Sequence, residues 1–498
     1  MSEEQLVISI PNARFTLPLW RKLSFSLGGF SLGLIRSVLG LFQFAFLLEV
    51  VQADVRWVGF ILIVEQVVDA FGDIFIGFLS DNFPTRFGRR KPWIYAMCIP
   101  AAIFWVLSWL APGNFHNRTG LQVVYYLFVY IMFSFSMSCV FIPYQAIIPD
   151  IAPNPLQRSI IVVIWQMYFL TGAAISSYFW SSSILWFPVQ DDDKYDEGMP
   201  ENYRLGYAVA SVVVSVVFLV SIITGAFTVR ERREFHIRDS VLESLKKSWT
   251  VINFLPFTVL CFVQAFSMFS ISLYLANIYL FAKYVLEREN DANYFLLTLM
   301  VCYFGVWMST NGYEQGTTVF SLLLWLYAST KVSKIGLYIV GSFSGLFVLL
   351  TFFFMENSWP LIAIYVVYAA RGFFAAASYL FPLSILPDVI EYYYGIYRDR
   401  REATFYSVIN FVEKMGIMGA FLVSSVVLGL TDYKNPMTVY EEHDTQPQSA
   451  VEALQYLVSV CPMVLSFFAF SFAIVYYFKV QRRRKRYEEP VNELFLSE

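Results

Sequence analysis

Glu65, Asp69 and Asp73 recur at i, i+4 and i+8 inside "VEQVVDAFGDIFIGFLSDN" (64–82), a stretch otherwise apolar enough to cross a bilayer. A carboxylate at mid-bilayer costs about 2.5–3.5 kcal/mol on the insertion scale, so three of them facing lipid is an expensive arrangement. Helical geometry places all three on one slanting stripe, each step of four residues rising about 6 Å. Acids one turn apart have two chemistries open to them. They can bracket one small cation such as Na+, or share a proton when desolvation raises one pKa. Elsewhere, "INFVEKMGIMGAFL" carries Lys414 about a dozen residues into another apolar run, with Gly416 and Gly419 beside it to let a neighbouring helix approach closely. A structural ion pair is the plain alternative. Buried pairs are often neutral for stability, which favours a coupling role for the acids and the lysine. Asp69 and Asp73 are therefore the candidate cation ligands and Lys414 the candidate substrate or coupling group. Glu65 lies further out and is expected to meet water, with a weaker claim on the same site. Glu413 is expected to point away from Lys414, being its immediate neighbour. Arg36 and Arg371 divide between gate residues and snorkelling structural cations.

These residues need membrane helices to hold them, and the composition supplies them. Of 498 residues, 57% are hydrophobic and 15% charged, and the mean hydropathy is +0.56. Soluble domains run at about 45–50% apolar with about 25% charged, so this is an integral membrane protein. Apolar runs of about 20 residues fall at 24–49, 57–79, 93–112, 122–148, 158–186 and 204–229, then at 251–284, 314–331, 335–355, 360–389, 403–430 and 452–478. The expected fold class is all-α, with twelve transmembrane helices in two pseudo-symmetric six-helix bundles. A tail (1–23) precedes the first bundle (24–229). A polar connector (230–250) leads to the second bundle (251–478), and a basic tail (479–498) ends the chain. The short apolar segment 295–309 is read as an outer interfacial or re-entrant piece, because a thirteenth span would invert every later loop. With both termini inside, 25 of the 35 Lys and Arg fall on the cytoplasmic side, 7 outside and 3 within spans. This bias sets the orientation. The basic tail suits anionic lipid headgroups, and a monomer in the plasma membrane is expected.

Several function classes drop out. The first 20 residues lack the apolar core and cleavage site of a signal peptide. The five cysteines lie in apolar segments without a CxxC pair, so neither a structural disulfide nor a zinc site is expected. No nucleophile elbow, HExxH, phosphate loop or dinucleotide motif is present. The chain is read as no enzyme, with no cofactor beyond a coupling cation, Na+ or H+. Nucleic acid is not an expected partner, because the basic residues track one membrane face.

The halves echo one another. "PYQAIIPDIAPNPLQRS" closes the fourth span and "PLSILPDVIEYYYGIYRDRREATFYS" the tenth, each running Pro, Pro-Asp, then a basic residue. Such repeats are common in transporters. The loop "SDNFPTRFGRRKPWI" (80–94) offers Asp81, Arg89 and Arg90 as a candidate cytoplasmic gate, able to latch the ends of neighbouring helices in one transport state.

"VVDAFGDIFIGFLSDNFPTRFGRRKPWI" resembles the second-helix signature of the glycoside–pentoside–hexuronide:cation symporters, a branch of the major facilitator superfamily. That signature has two aspartates four apart, followed by a Gly-Arg-basic-x-Pro-Trp loop. "FIPYQAIIP" (141–149), "FPLSILPDVIEY" (381–392) and "RREATFYSVINFVEKMG" (400–416) extend the resemblance over nearly the whole chain. It implies that Asp69 and Asp73 form the cation site and that Lys414 takes part in substrate binding or coupling. It also brings Gln145 and Trp165 into the substrate region. Melibiose permeases carry charged groups where this chain has Ser31-Leu32, Phe141 and Trp165. The animal sodium-dependent lysophosphatidylcholine symporters look closer at "RKLSFSLGG" (21–29), "FLLEVVQAD" (46–54) and "LPDVI" (386–390). Trp165 replaces their helix-five arginine, Ile74 their proline after the second aspartate, and their cysteine bridge is missing. The resemblance implies a cation-coupled symporter of a lysophospholipid or related amphiphile. A sugar or glycoside is the alternative, and a non-transporting receptor on the same fold is the reading from another class.

Overall fold

The computed structural model describes residues 17–82, 88, 90–111, 119–151, 161, 164–165, 167–169, 171–176, 179–180, 201–229, 251–288, 291, 294–296, 298–299, 325, 328, 331–397, 402–434 and 446–481. The first half contributes α1 (Leu19–Glu49), α2 (Val55–Asn82), α3 (Lys91–Ser108), α4 (Thr119–Ala146) and α5 (Glu201–Thr228). The second contributes α6 (Leu255–Tyr284), α7 (Lys334–Phe353), α8 (Leu361–Tyr397), α9 (Glu402–Leu430), and α10 (Gln448–Val458) running into α11 (Val460–Tyr476). These match ten of the twelve expected spans. The fifth, the eighth and the segment 295–309 fall largely outside the described residues.

Among the described residues, nine helical segments are long and apolar enough to cross a membrane, and the protein is an integral, multi-pass membrane protein. α2 is not one of the nine, because every 18-residue window of it holds at least three charged residues. It spans only by virtue of what its acids meet. Helix starts follow local chemistry. Pro92 and Pro256 occupy the first turns of α3 and α6, where a missing N–H costs nothing. The Ser333 hydroxyl caps α7 by accepting from Gly336 N at 3.3 Å.

Within the first half, α4 packs on α2 and α3, and α5 on α1. Within the second, α6 packs on α9 and α11, and α7 on α8. Gly416 has the close-approach role expected of it. A Cβ there would lie 2.7 Å from the Ala265 carbonyl oxygen of α6. The halves meet along two seams, α2 with α9 and α1 with α6. The first is tight enough to need glycine: a Cβ on Gly59 would stand 2.2 Å from Ser425 Oγ.

The two halves repeat one device at the same end. Arg90 donates to the Ala146 carbonyl at the close of α4, and Lys91 Nζ donates to Val229 O at 2.6 Å after α5. Lys334, which opens α7, donates to Ser384 O and to Asp388 Oδ2, both at 2.9 Å, on α8. In each half a cation meets a backbone carbonyl; Arg90 and Lys91 do so at helix C-termini, where a cation complements the helix dipole, and Lys334 within α8.

The opposite end fixes chain direction. The ends of α1, α6 and α9 meet there through Glu49, Lys283, Tyr284 and Tyr433. Arg288 joins them to the α7–α8 turn, donating to Asn357 Oδ1 at 3.2 Å and Trp359 O at 3.1 Å. Tyr284 and Phe353 thus share an end while Lys334 lies at the other. The chain therefore changes ends an odd number of times between Tyr284 and Lys334, as a count of twelve requires.

Candidate functional site

Asp69 and Asp73 project from α2 into the seam with α9, where Lys414 meets both. Lys414 Nζ lies 2.7 Å from Asp69 Oδ2 and 2.9 Å from the Asp69 carbonyl oxygen, and it also pairs closely with Asp73 Oδ2. One ammonium thus sits among three oxygens. α4 completes the donor set: Ser138 Oγ donates to Asp73 Oδ1 at 2.7 Å and approaches Asp69 Oδ1 at 3.4 Å. Ser134 Oγ donates to Asp69 Oδ1 at 3.2 Å. Every donor to a small cation here is oxygen, which suits a hard ion. Arg36 of α1 approaches Asp69 Oδ2 at 3.6 Å. The site therefore draws on α1, α2 and α4 from one half and α9 from the other.

The remaining expectations divide. Glu65 does not meet water: it is 3% exposed and accepts from Gln43 Nε2 of α1 at 2.6 Å. The adjacent helix supplies the donor that solvent was expected to give. Glu413 does diverge from Lys414, toward α6, where Gln264 Nε2 donates to it at 3.3 Å. It stays within electrostatic reach of Arg36 and Lys414. Trp165 is a packing residue at the α1–α4 seam and is not in the acid cluster. It is buried against the rings of Phe25 and Tyr144, at 6.0 and 5.5 Å between centroids. Gln145 is exposed in the last turn of α4, two turns past Ser138 and so about 10 Å beyond the acids. Of the candidate gate, Arg90 holds the end of α4 as described. Arg89 and the Asp81 side chain lie outside the described residues.

The structure adds a second inter-half cluster with no counterpart in the sequence reading. Glu49, at the last residue of α1, accepts from Lys283 Nζ at 2.7 Å and from Tyr284 Oη at 2.9 and 3.0 Å. The Tyr433 hydroxyl donates to it as well. Aromatic contacts between the halves, Phe42 with Tyr279 and Phe44 with Phe421, lie between this cluster and the acids. Among the described residues, contacts between the halves thus include the Glu49 cluster, these aromatic pairs and the pairing of Lys414 with the acids.

Over residues 24–482 the sequence matches the model of the MFS/sugar transport protein family.

The chain belongs to that family.

It is a transporter of the major facilitator superfamily and not an enzyme. The transporter is 25% identical over 507 residues to the sodium-dependent lysophosphatidylcholine symporter 1-A of Danio rerio, covering 96% of this chain and 89% of the relative. It is 26% identical over 324 residues to the isoprimeverose transporter of Lactiplantibacillus pentosus, covering 62% of this chain and 63% of that one. Among solved structures, it resembles the inward-facing, unoccupied form of a bacterial homologue of the human lysosomal transporter Spinster. The TM-score is 0.63 at 15% identity, covering 92% of this chain and 96% of that one. At that identity the likeness shows the fold.

Proposed function

We propose that the transporter carries a single-chain amphiphile of the lysophospholipid class by symport with Na+, and that Asp69 and Asp73 bind the ion. The observation behind this is the Lys414 ammonium seated between the two carboxylates and the Asp69 carbonyl. A group from one half neutralises an acid pair in the other, at the seam that must open and close during transport. Na+ entering the pair releases Lys414. The freed ammonium then meets the substrate or lets the halves rearrange, and the cation and the substrate become linked. Binding linkage of this kind is reciprocal. The oxygen-only donor set and the name of the Danio rerio relative favour Na+ over H+.

The Arg90 end is proposed as cytoplasmic, on the distribution of Lys and Arg, with both termini inside and the plasma membrane as the location. The two bundles are taken as 24–229 and 251–478, joined by the connector 230–250. A monomer suffices, because the site is completed within one chain. A glycoside substrate is the second reading, favoured by the isoprimeverose-transporting relative.

The test is to titrate Na+ against bound lysophosphatidylcholine, and against a panel of sugars, in wild type and in Lys414→Ala. We expect wild-type affinities to rise together. In the mutant, substrate binding weakens and the Na+ midpoint moves independently of substrate. Lys414→Arg does not rescue, because a planar fork cannot replace a point charge among three oxygens. A mutant whose two affinities stay linked as in wild type would reduce Lys414 to a plain ion pair.

A further inference from the structure

Arg36 stands apart from the other charges of the site. It lies in the middle of α1, yet its side chain is 44% exposed, against 8% for Lys414 and 11% for Asp69. Its position rules out lipid as the cause. The groups whose fields it feels are Asp69 and Asp73 on α2, Glu413 on α9 and Tyr379 on α8, so it faces the space between the halves. Its one ion pair is at 3.6 Å, to an Asp69 oxygen that Lys414 already holds at 2.7 Å. Among the described residues it makes no hydrogen bond, so its N–H donors, apart from the side toward Asp69, are left for another acceptor. Beside it, Glu413 and Tyr379 each lie within electrostatic reach of Arg36 and of one another. Gln264, fully buried, donates to Glu413 at 3.3 Å while its own Oε1 has no partner.

Charge balance gives these groups a purpose. Without a coupling ion, the two acids Asp69 and Asp73 are offset by Lys414 and Arg36. With Glu413 counted as well, three acids face the two cations, so one Na+ brings the sum to zero and a substrate of no net charge, a zwitterion, keeps it there. A planar guanidinium suits a phosphodiester or carboxylate, which it can hold through two parallel hydrogen bonds. A carboxylate beside an aromatic ring suits an alkylammonium, through charge and cation–π attraction.

We infer that Arg36 anchors the anionic group of the substrate while Glu413 and Tyr379 receive an adjoining ammonium, so that this site selects a zwitterionic headgroup. The inference rests on the symport reading and specifies its substrate chemistry.

The experiment measures binding to the full-length transporter in lipid nanodiscs, with Na+ present. Four amphiphiles of one chain length serve as probes: lysophosphatidylcholine, lysophosphatidate, an alkyltrimethylammonium and a neutral alkyl glycoside. Na+ binding without amphiphile, followed by tryptophan fluorescence, is measured on the same samples. In wild type, lysophosphatidylcholine binds tightest. Arg36→Gln weakens both phosphate-bearing probes about tenfold or more, the loss expected for a charge-assisted hydrogen bond, and leaves the glycoside unchanged. Arg36→Lys retains most of the preference. Glu413→Gln brings lysophosphatidylcholine down to the level of lysophosphatidate. Equal losses on all four probes in Arg36→Gln would make Arg36 a structural partner of Asp69 and overturn the inference, as would tightest wild-type binding of the glycoside. If Arg36→Gln does not reach the membrane, the wild-type ranking and Glu413→Gln decide the matter. A missing Na+ response in wild type instead defeats the symport reading, whatever the ranking of the probes.

Discussion

Two carboxylate clusters join the halves of this transporter, and they are built to different ends. At the tip of α1, Glu49 takes donors from Lys283, Tyr284 and Tyr433 and is 4% exposed, so its acceptor capacity is filled. About 20 Å further along α1, at the depth of Arg36, two acids share one lysine, and Arg36 approaches without bonding. The first cluster has one acid and a surplus of donors. The second has two acids around one lysine, which in the proposed mechanism an entering ion replaces. A filled cluster can only break, whereas an under-filled one can exchange partners. The transporter thus separates holding an end shut from sensing an ion, although both tasks use a carboxylate on one half and a lysine on the other.

The largest expected effect falls on the exchanging cluster. Asp69→Asn or Asp73→Asn removes a charged ligand and leaves Lys414 half-compensated. On the order of 3 kcal/mol is lost, which lowers apparent Na+ affinity about a hundredfold or more. Ion-driven uptake should be abolished while the protein still reaches the membrane. Uptake at wild-type rate in both mutants would leave the acids a structural role and erase the contrast.

Glu49→Gln comes next. It unbalances Lys283 by on the order of 2 kcal/mol, about thirtyfold in the ratio of open to closed forms at that end. Thiol labelling of a Ser425→Cys reporter, buried at the α2–α9 contact, should rise accordingly. If Glu49→Gln instead damaged Na+ binding as severely as Asp69→Asn, the two clusters would not be separable.

Smaller changes sharpen the distinction. Ser138→Ala deletes the 2.7 Å bond to Asp73, worth about 1 kcal/mol, and should weaken Na+ about fivefold without altering Ser425→Cys labelling. Tyr433→Phe removes one of several donors to Glu49. A few-fold rise in labelling is expected, with the Na+ midpoint unchanged beyond that shift of population.

The exchanging cluster was legible in the sequence and the filled one was not. Charges inside an apolar run announce themselves, and helical spacing alone puts Asp69 and Asp73 on one stripe. The serine partners had a fainter signal: Ser134 and Ser138 of "SFSMS" share a helix face. Glu49 had none. It ends a span where acids are unremarkable, and Lys283 and Tyr433 lie 234 and 384 residues away, a pairing that only the packing of α1 on α6 and α9 creates. The burial of Glu65 was illegible for the same reason, because its donor Gln43 sits on another helix. Trp165 entered the site through resemblance alone, and its ring is buried against Phe25 and Tyr144.

The contact of Gly59 with Ser425 has a consequence for energy economy. A symporter dissipates its ion gradient through any passage that stays permeable while the other entrance is open. At Gly59 the tolerance of that seal is less than one methyl group, since a Cβ would stand 2.2 Å from Ser425 Oγ. A larger residue there would wedge α2 from α9 about 15 Å beyond the acid pair, toward the Glu49 end, and would open a path for the coupling cation to leak without cargo.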